Sequence, residues 1–248
     1  MKYRDIEWPD LRKIIPEGRS GDVAIAHDVV TEDAAAMANQ LQMYKKGDDK
    51  PRSPIVDFVK PGPITRLAIG GTLFMTDAEM EKITSAEVVI KGKGRVLIAG
   101  LGLGMVLHPL AAKEDVYSIV VVEKNLDVIK LVGPTVPEKV RVVHGDIFEV
   151  SPTLLVVKAG GRFDTIFFDI WPHIATANLP DMARLHRRFA GVRREGAWMS
   201  SWLVDFLRQK RRRDKRRDAR GRCDFSAGGN PLRPLEGNSL TCKLPPWA

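Results

Sequence analysis

The 248-residue sequence predicts an α/β protein with a doubly wound, mostly parallel sheet. The first observation is a set of continuous apolar runs in the second half of the chain, a pattern typical of parallel strands buried on both faces. The second is that segments long enough for crossover helices separate these runs, as in consecutive βαβ units. Together they favour a Rossmann-like arrangement behind a small N-terminal β-containing segment.

Each element of the second half follows from its local pattern. The apolar runs lie at 95–100, 117–123, 139–146 and 163–169, with a weaker fifth at 197–203. The crossover helices are predicted at 104–114, 125–132 and 180–191. A very basic helix is predicted at 204–220, and the tail from Gly221, rich in Gly, Pro and Asn, is expected to be loosely ordered.

The first ninety residues predict a different arrangement of secondary structure. Residues 1–20 are polar and predict an irregular arm. Strands are predicted at 21–30, 54–59 and 64–71, and helices at 31–46, capped by Thr31, and 77–91, capped by Thr76. We therefore divide the chain into an N-terminal α+β appendage (1–90), a Rossmann-like domain (91–207) and a basic, flexible C-terminal tail (208–248).

The formal net charge of +8 comes from one segment. Residues 208–222 hold ten of the 39 Lys and Arg residues and two of the 31 acidic residues, which leaves 29 of each sign elsewhere. Such a run is either a solvated helix face or a contact for nucleic acid. Its charge therefore indicates nothing about a ligand site in the neutral body of the chain.

Composition also predicts the compartment. The chain has no run of 18 or more apolar residues and no apolar stretch behind its charged N-terminus, so neither a membrane span nor a secretory signal is expected. Cys223 and Cys242 lie too near the C-terminal end to cross-link the core. These features predict a cytoplasmic protein with no membrane partner.

Three glycines follow the first apolar run, in the sequence VLIAGLGLGM. Gly100, Gly102 and Gly104 would let the chain turn sharply and approach a ligand closely, while the next helix directs its free N–H groups toward that ligand. A dinucleotide fingerprint would have its third glycine at Met105. The loop therefore predicts a nucleotide-like ligand other than a dinucleotide, or else only a tight strand-to-helix turn.

Acidic residues end the next three runs. Glu123 is placed to accept hydrogen bonds from ribose hydroxyls, and Asp146 from the amino group of an adenine, with Ile147 supplying an apolar wall. Asp169 ends the fourth run, where ligands of open α/β sheets bind. Each acid alone could be solvated or could cap a turn. Their appearance at successive strand ends favours one shared cofactor site.

These motifs carry a family resemblance. Residues 68–205 resemble class I S-adenosylmethionine-dependent methyltransferases, in the branch that looks like spermidine synthase. The similar segments are GRVLIAGLGLGM, VVVEKNLDVI, GDIF, FDTIFFDIWP and, upstream, IGGTLFMTDAEMEKITS. The resemblance implies that 91–207 is a catalytic domain whose cofactor is S-adenosylmethionine or its decarboxylated form, bound by the residues above, and that 1–90 lies over the cofactor.

The departures from spermidine synthase bear on the transferred group. The acid of that family's glycine loop is replaced by Leu103, its second acid after the fourth strand by Trp171-Pro172, and its glutamine near 70 by Phe74. A diamine would need at least two carboxylates. We therefore expect methyl transfer to a small-molecule acceptor contacted by Asp169, which alternatively contacts the methionine amine.

Three questions stay open at this level. Aminopropyl transfer is the first alternative, with Asp77 and Glu79 as further acids from the upstream helix. A non-catalytic cofactor-binding module with a nucleic-acid-binding tail is the second alternative. The third open question is the oligomeric state.

His108, His144 and His173 lack metal-ligand spacing, so no metal site is expected, and His173 is interpreted as a surface residue.

Overall fold

The computed structural model describes residues 2–45 and 59–226, which form two sheets and seven α-helices within those ranges. The strands are β1 (Gly18–Ser20), β2 (Val23–Val30), β3 (Gly62–Ile69), β4 (Thr72–Thr76), β5 (Gly94–Ala99), β6 (Val116–Glu123), β7 (Val140–His144), β8 (Phe163–Phe168) and β9 (Arg193–Ser201). The helices are α1 (Glu32–Lys45), α2 (Glu79–Lys91), α3 (Leu107–Ala111), α4 (Leu126–Val132), α5 (Pro152–Ala159), α6 (Leu179–Phe189) and α7 (Val204–Ser226).

The larger sheet confirms the predicted α/β class. Its five strands run in the order β7-β6-β5-β8-β9, and all four pairings are parallel. The chain moves outward from β5 to β7 and then crosses to the other side of β5 with β8. This reversal makes the edge between β5 and β8 the topological switch point, where open α/β sheets bind ligands.

The smaller sheet belongs to the N-terminal third. It joins β1, β2, β3 and β4 in sequence order through antiparallel pairs, with an irregularity between Leu67 and Ala68. Its strands confirm those predicted at 21–30 and 64–71, while the strand predicted at 54–59 lies almost entirely outside the described residues. Thr31 precedes α1 and caps it as predicted, because its hydroxyl accepts a hydrogen bond from Ala34 N at 3.2 Å.

The two sheets share one hydrophobic core. Buried residues of the small sheet, among them Val23 and Leu67, belong to the same cluster as Val96 and Ile119 of the parallel sheet. A second cluster packs aliphatic side chains of the parallel strands with three phenylalanines, Phe163, Phe168 and Phe189. The small sheet is therefore packed against the parallel sheet through apolar side chains, which positions it beside the strand ends.

The N-terminal arm differs from its prediction. It was expected to be irregular, yet Leu11 is 0% exposed and Ile15 is also buried, both within the shared core. The 3₁₀ turn Tyr3–Asp5 buries no residue, whereas Leu11 begins the 3₁₀ turn Leu11–Lys13 and is followed closely by Ile15. The polar residues between them obscured the pattern, because a 3₁₀ turn buries isolated positions and not a periodic stripe.

The helices differ from their predictions in four places. The segment predicted as a helix at 104–114 contains only α3, and α5 had no counterpart among the predicted crossovers. Helix α2 begins at Glu79 and not at 77, with Ala78 in the N-cap position, so Thr76 is not its cap. Helix α7 continues to Ser226, six residues beyond its predicted end. No helix in the described ranges is long and apolar enough to span a membrane.

Truncating Leu11 tests whether the arm stabilises the core. We expect Leu11→Ala to lower the free energy of unfolding by about 2–5 kcal/mol, because it removes a fully buried side chain and leaves a cavity. Urea unfolding measures the change. The matched control is Leu154→Ala in α5, where a residue 49% exposed should lose less than about 1 kcal/mol. Equal effects of the two variants would contradict the shared core.

Candidate functional site

A cavity of about 750 Å³ lies at the carboxyl ends of the parallel strands. Residues following β5, β6, β7 and β8 line it, because parallel strands bring all their carboxyl ends to one edge of the sheet. The small sheet covers the opposite side with Leu67, Ile69, Phe74 and Met75. Its volume lies within the range of small-molecule and cofactor sites.

The glycine loop contributes Gly100 and Gly102 to the cavity wall, whereas Gly104 is not among the lining residues. Gly100 has φ +99°, and a Cβ there would lie 2.0 Å from the carbonyl oxygen of Asp169. A Cβ on Gly102 would lie 2.6 Å from Met75 Sδ. Gly100 is thus required by the packing of the backbone itself, whereas at Gly102 the flexible Met75 side chain could move and the left-handed φ of +50° is the stronger reason for glycine.

Helix α3 contributes less than its prediction assumed. It holds only five residues and starts three residues after Gly104, with no side-chain cap. The free N–H groups that would face a ligand therefore belong to the loop and not to a long helix. Met105 lines the cavity, in the place where a dinucleotide fingerprint would have glycine.

Glu123 lies at the end of β6 and connects the loop to the next helix. One carboxylate oxygen accepts a hydrogen bond from Leu101 N at 2.8 Å, and the other accepts one from Asn125 N at 2.7 Å. Asn125 in turn caps α4 through its side chain. Each oxygen of a carboxylate can accept a second hydrogen bond, so both stay available to a pair of hydroxyls in the cavity.

Asp146 follows β7 and lines the neighbouring part of the cavity with Ile147, which is buried, and Phe148. Its carboxylate accepts hydrogen bonds from Phe148 N and from Lys124 Nζ, each at 2.9 Å. The bond from Lys124 is the main reason that the pKa of Asp146 lies below its usual value. Asp146 therefore both caps its turn and remains an ionised acceptor at the cavity surface.

Asp169 lies at the switch point and faces the same cavity. Burial raises its pKa to about 7, and the negative charge of Glu81 contributes to the shift. Glu81 lines the cavity from α2, and burial raises its pKa to about 7 as well. Neither carboxylate has a hydrogen-bond donor or a cation as partner among residues 2–45 and 59–226. We call these two residues the acid pair.

The structure differs from the prediction that Asp77 and Glu79 supply the further acids from the upstream helix, because neither lines the cavity. Asp77 is buried away from the cavity and accepts a hydrogen bond from Thr65 N at 2.7 Å, while Glu79 accepts one from the Tyr3 hydroxyl at 2.7 Å. Glu81 supplies the second acid in their place. No local pattern in the sequence indicates Glu81, because an acid in a helix can face solvent or a cavity and only the packing of neighbouring elements decides which.

Aromatic residues complete the wall near the acid pair. Trp171 and Trp202 both line the cavity, and Trp202 is 7% exposed. Its indole N–H is buried and donates to no acceptor in the described part of the chain.

His173 is exposed and does not line the cavity, as expected of a surface residue. No group of His, Cys, Asp and Glu residues in the described ranges could hold a metal ion.

Comparisons with known proteins give weak likenesses. No protein-family model and no curated protein matches the chain. Among solved structures, it is similar to a DhpI–SAM–HEP complex (18% identity, TM-score 0.37), covering 48% of this chain and 51% of that one. It is also similar to spermidine synthase from Thermotoga maritima (13%, 0.39), covering 56% of this chain and 49% of that one, and to a putative caffeoyl-CoA O-methyltransferase from Staphylococcus aureus (12%, 0.39), covering 68% and 73%. The chain thus spans about half the length of the first two.

The acid pair should make stability depend on pH. A buried carboxyl with a raised pKa favours folding while it is protonated, so its contribution is present below the pKa of the unfolded chain and is lost as pH rises through about 7. We expect Glu81→Gln and Asp169→Asn to unfold at higher temperature than the wild type, with an advantage that grows between about pH 5 and about pH 8. Scanning calorimetry measures it.

The control for this experiment is Glu149→Gln, which changes an exposed carboxyl outside the cavity. It should leave the unfolding temperature unchanged at both pH values. An advantage of the acid-pair variants that is the same at low and high pH would show that their carboxyls do not titrate near neutrality.

Proposed function

We propose that this protein is an S-adenosylmethionine-dependent methyltransferase acting on a small-molecule acceptor. The observation that carries the proposal is the convergence of Glu123, Asp146 and Asp169, from three successive strand ends, around one cavity at the switch point. Turn chemistry accounts for Glu123 and Asp146 taken separately, since each accepts hydrogen bonds from nearby backbone N–H groups, but not for Asp169, whose carboxylate has no such partner among the described residues. It does not account for three acids lining one space with a glycine loop.

The cofactor would be held by its nucleoside half along the glycine loop. Glu123 would accept hydrogen bonds from both ribose hydroxyls, with the loop kept in place by its existing bond to Leu101 N. Asp146 would accept one from the adenine amino group, and Ile147 and Phe148 would contact the ring. With the base at β7 and the ribose at β6, the sulfonium would lie toward Gly100 and the acid pair.

The acid pair then has a chemical role beside the sulfonium. S-adenosylmethionine would supply an electrophilic methyl carbon, and after transfer of the methyl group to the acceptor's nucleophilic atom the electron pair of the broken C–S bond would stay on sulfur, giving a neutral thioether. A protonated amine or a hydroxyl acceptor must also lose a proton, and Asp169 or Glu81 can accept it because their pKa values lie near neutrality. The protein otherwise contributes alignment, by holding the acceptor in line with the C–S bond.

A second candidate function follows from Glu81. Aminopropyl transfer from decarboxylated S-adenosylmethionine was disfavoured by sequence because only Asp169 clearly remained to bind cationic amines. Glu81 provides a second carboxylate in the same cavity, without a cation of the described chain beside it. Burying an ammonium beside two such acids compensates its desolvation. This observation supports an amine among the reactants and leaves the choice of transferred group to experiment.

Removing the Asp146 carboxylate tests the cofactor assignment. We expect Asp146→Ala to weaken binding of S-adenosylhomocysteine by about 10- to 100-fold, because a charge-assisted hydrogen bond contributes about 1.5–3 kcal/mol. Isothermal titration calorimetry measures it, with NAD as a ligand that should give no heat. The matched control is Glu149→Ala, three residues away and exposed, which should bind normally. Normal binding by both variants would remove the basis of the assignment.

The transferred group is decided by product analysis. The purified protein is offered S-adenosylmethionine and, separately, its decarboxylated form, with a panel of amines, phenols and alcohols, and products are identified by mass. We expect S-adenosylhomocysteine, with turnover rising with pH through about 7 as the acid pair loses its proton. Asp169→Asn should lower kcat by about 100-fold or more while cofactor affinity is unchanged.

Two other outcomes have definite meanings. Methylthioadenosine without S-adenosylhomocysteine would replace methyl transfer by aminopropyl transfer. Cofactor binding with no turnover on either donor would favour a non-catalytic binding module.

A further inference from the structure

Helix α7 leaves the body of the protein abruptly. Its first turn is held by Val204 and Leu207, which are buried against Leu179 and Met182 of α6. Leu203 just before it has φ +53°, a left-handed conformation that turns the chain sharply out of β9 and into the helix. From Arg208 onward every described side chain, through position 216, is exposed. The helix is thus anchored at one end and extends into solvent.

The exposed segment carries positive charge around nearly its whole circumference. Seven of the nine residues 208–216 are Lys or Arg, and the other two are Gln209 and Asp214. Projected at about 100° per residue, these seven leave no arc wider than about 100° without a positive charge, and Asp214 occupies that arc. Arg208 is partly neutralised by Asp205 at 3.0 Å. An ordinary surface helix would have an apolar stripe, and this segment has none.

The composition of the segment indicates which kind of anionic partner it can bind. A helix that binds a lipid surface needs an apolar face to insert, and 208–216 contains no apolar residue. Binding of single-stranded nucleic acid relies on aromatic side chains that stack on bases, and the segment has none. Duplex RNA is a poorer match, because its major groove is too deep and narrow to admit a helix. The major groove of B-DNA, about 12 Å wide, admits an α-helix and flanks it with phosphates on both sides.

We propose that the exposed part of α7 is a docking element for duplex DNA, inserted in the major groove and held by phosphate contacts. Charge on all sides of the helix complements a groove whose two walls both carry phosphates. The remainder of the chain is formally neutral, with 29 basic and 29 acidic residues outside 208–222. Attraction to DNA therefore depends on this helix and is independent of the cofactor cavity.

The test measures binding of the full chain to a labelled random duplex of about 20 bp by fluorescence anisotropy. One variant replaces four helix cations by glutamine: Lys210, Arg211, Arg212 and Arg216. Glutamine keeps a similar helix propensity, and circular dichroism verifies that the helix remains. We expect its affinity at about 100 mM salt to fall by roughly 100-fold or more, because each lost phosphate contact removes counterion release.

A matched control changes the net charge equally elsewhere. It replaces four exposed cations of the body by glutamine: Arg4, Lys13, Arg19 and Arg187. Its affinity for the duplex should change by less than about threefold, and both variants should bind cofactor like the wild type. The proposal is overturned if the wild type does not bind the duplex at about 50 mM salt, if the control loses as much affinity as the helix variant, or if single-stranded RNA, duplex RNA or anionic vesicles bind more tightly than the DNA.

Discussion

The close approach of two neighbouring strand ends organises the site. Asp169 N donates to the carbonyl of Ala99 at 2.8 Å, and the carbonyl of Asp169 lies so near Gly100 that no Cβ fits between them. The glycine loop and the acid after β8 are therefore in contact through their backbones. Any shift of the loop therefore changes the position of Asp169.

The acid pair has an energetic cost that its position explains. Folding leaves Glu81 and Asp169 half-buried in the cavity wall without a hydrogen-bond donor or a cation among the described residues, and this partial desolvation opposes folding at neutral pH. Asp146 shows the opposite arrangement, because Lys124 and a backbone amide keep it ionised. The same cavity thus holds one carboxylate whose pKa is lowered and two whose pKa values are raised.

The small sheet is part of this arrangement. Met75 contacts the glycine loop, since its sulfur accepts a hydrogen bond from Leu103 N at 3.4 Å. On the other side, the Ser20 hydroxyl donates to Asp127 of α4 at 2.7 Å. The small sheet therefore bridges the loop and the helix that follow two adjacent strands. It covers the side of the cavity opposite the parallel strand ends and contributes Leu67 and Ile69 to its wall.

The α/β class and the order of acids at the strand ends were predictable from sequence, because strands buried on both faces, such as β5, β6 and β8, are unbroken apolar runs. The outer strands β7 and β9 are only partly buried, and their patterns are correspondingly weaker. Local pattern also located Thr31 as a helix cap. It did not locate Leu11, α5 or Glu81. These depend on tertiary structure: a 3₁₀ turn buries isolated residues, and an acid in a helix shows no sign of facing a cavity until the small sheet and the switch point are placed around it. Desolvation, which gives Glu81 and Asp169 their shared chemistry, exists only in the folded protein.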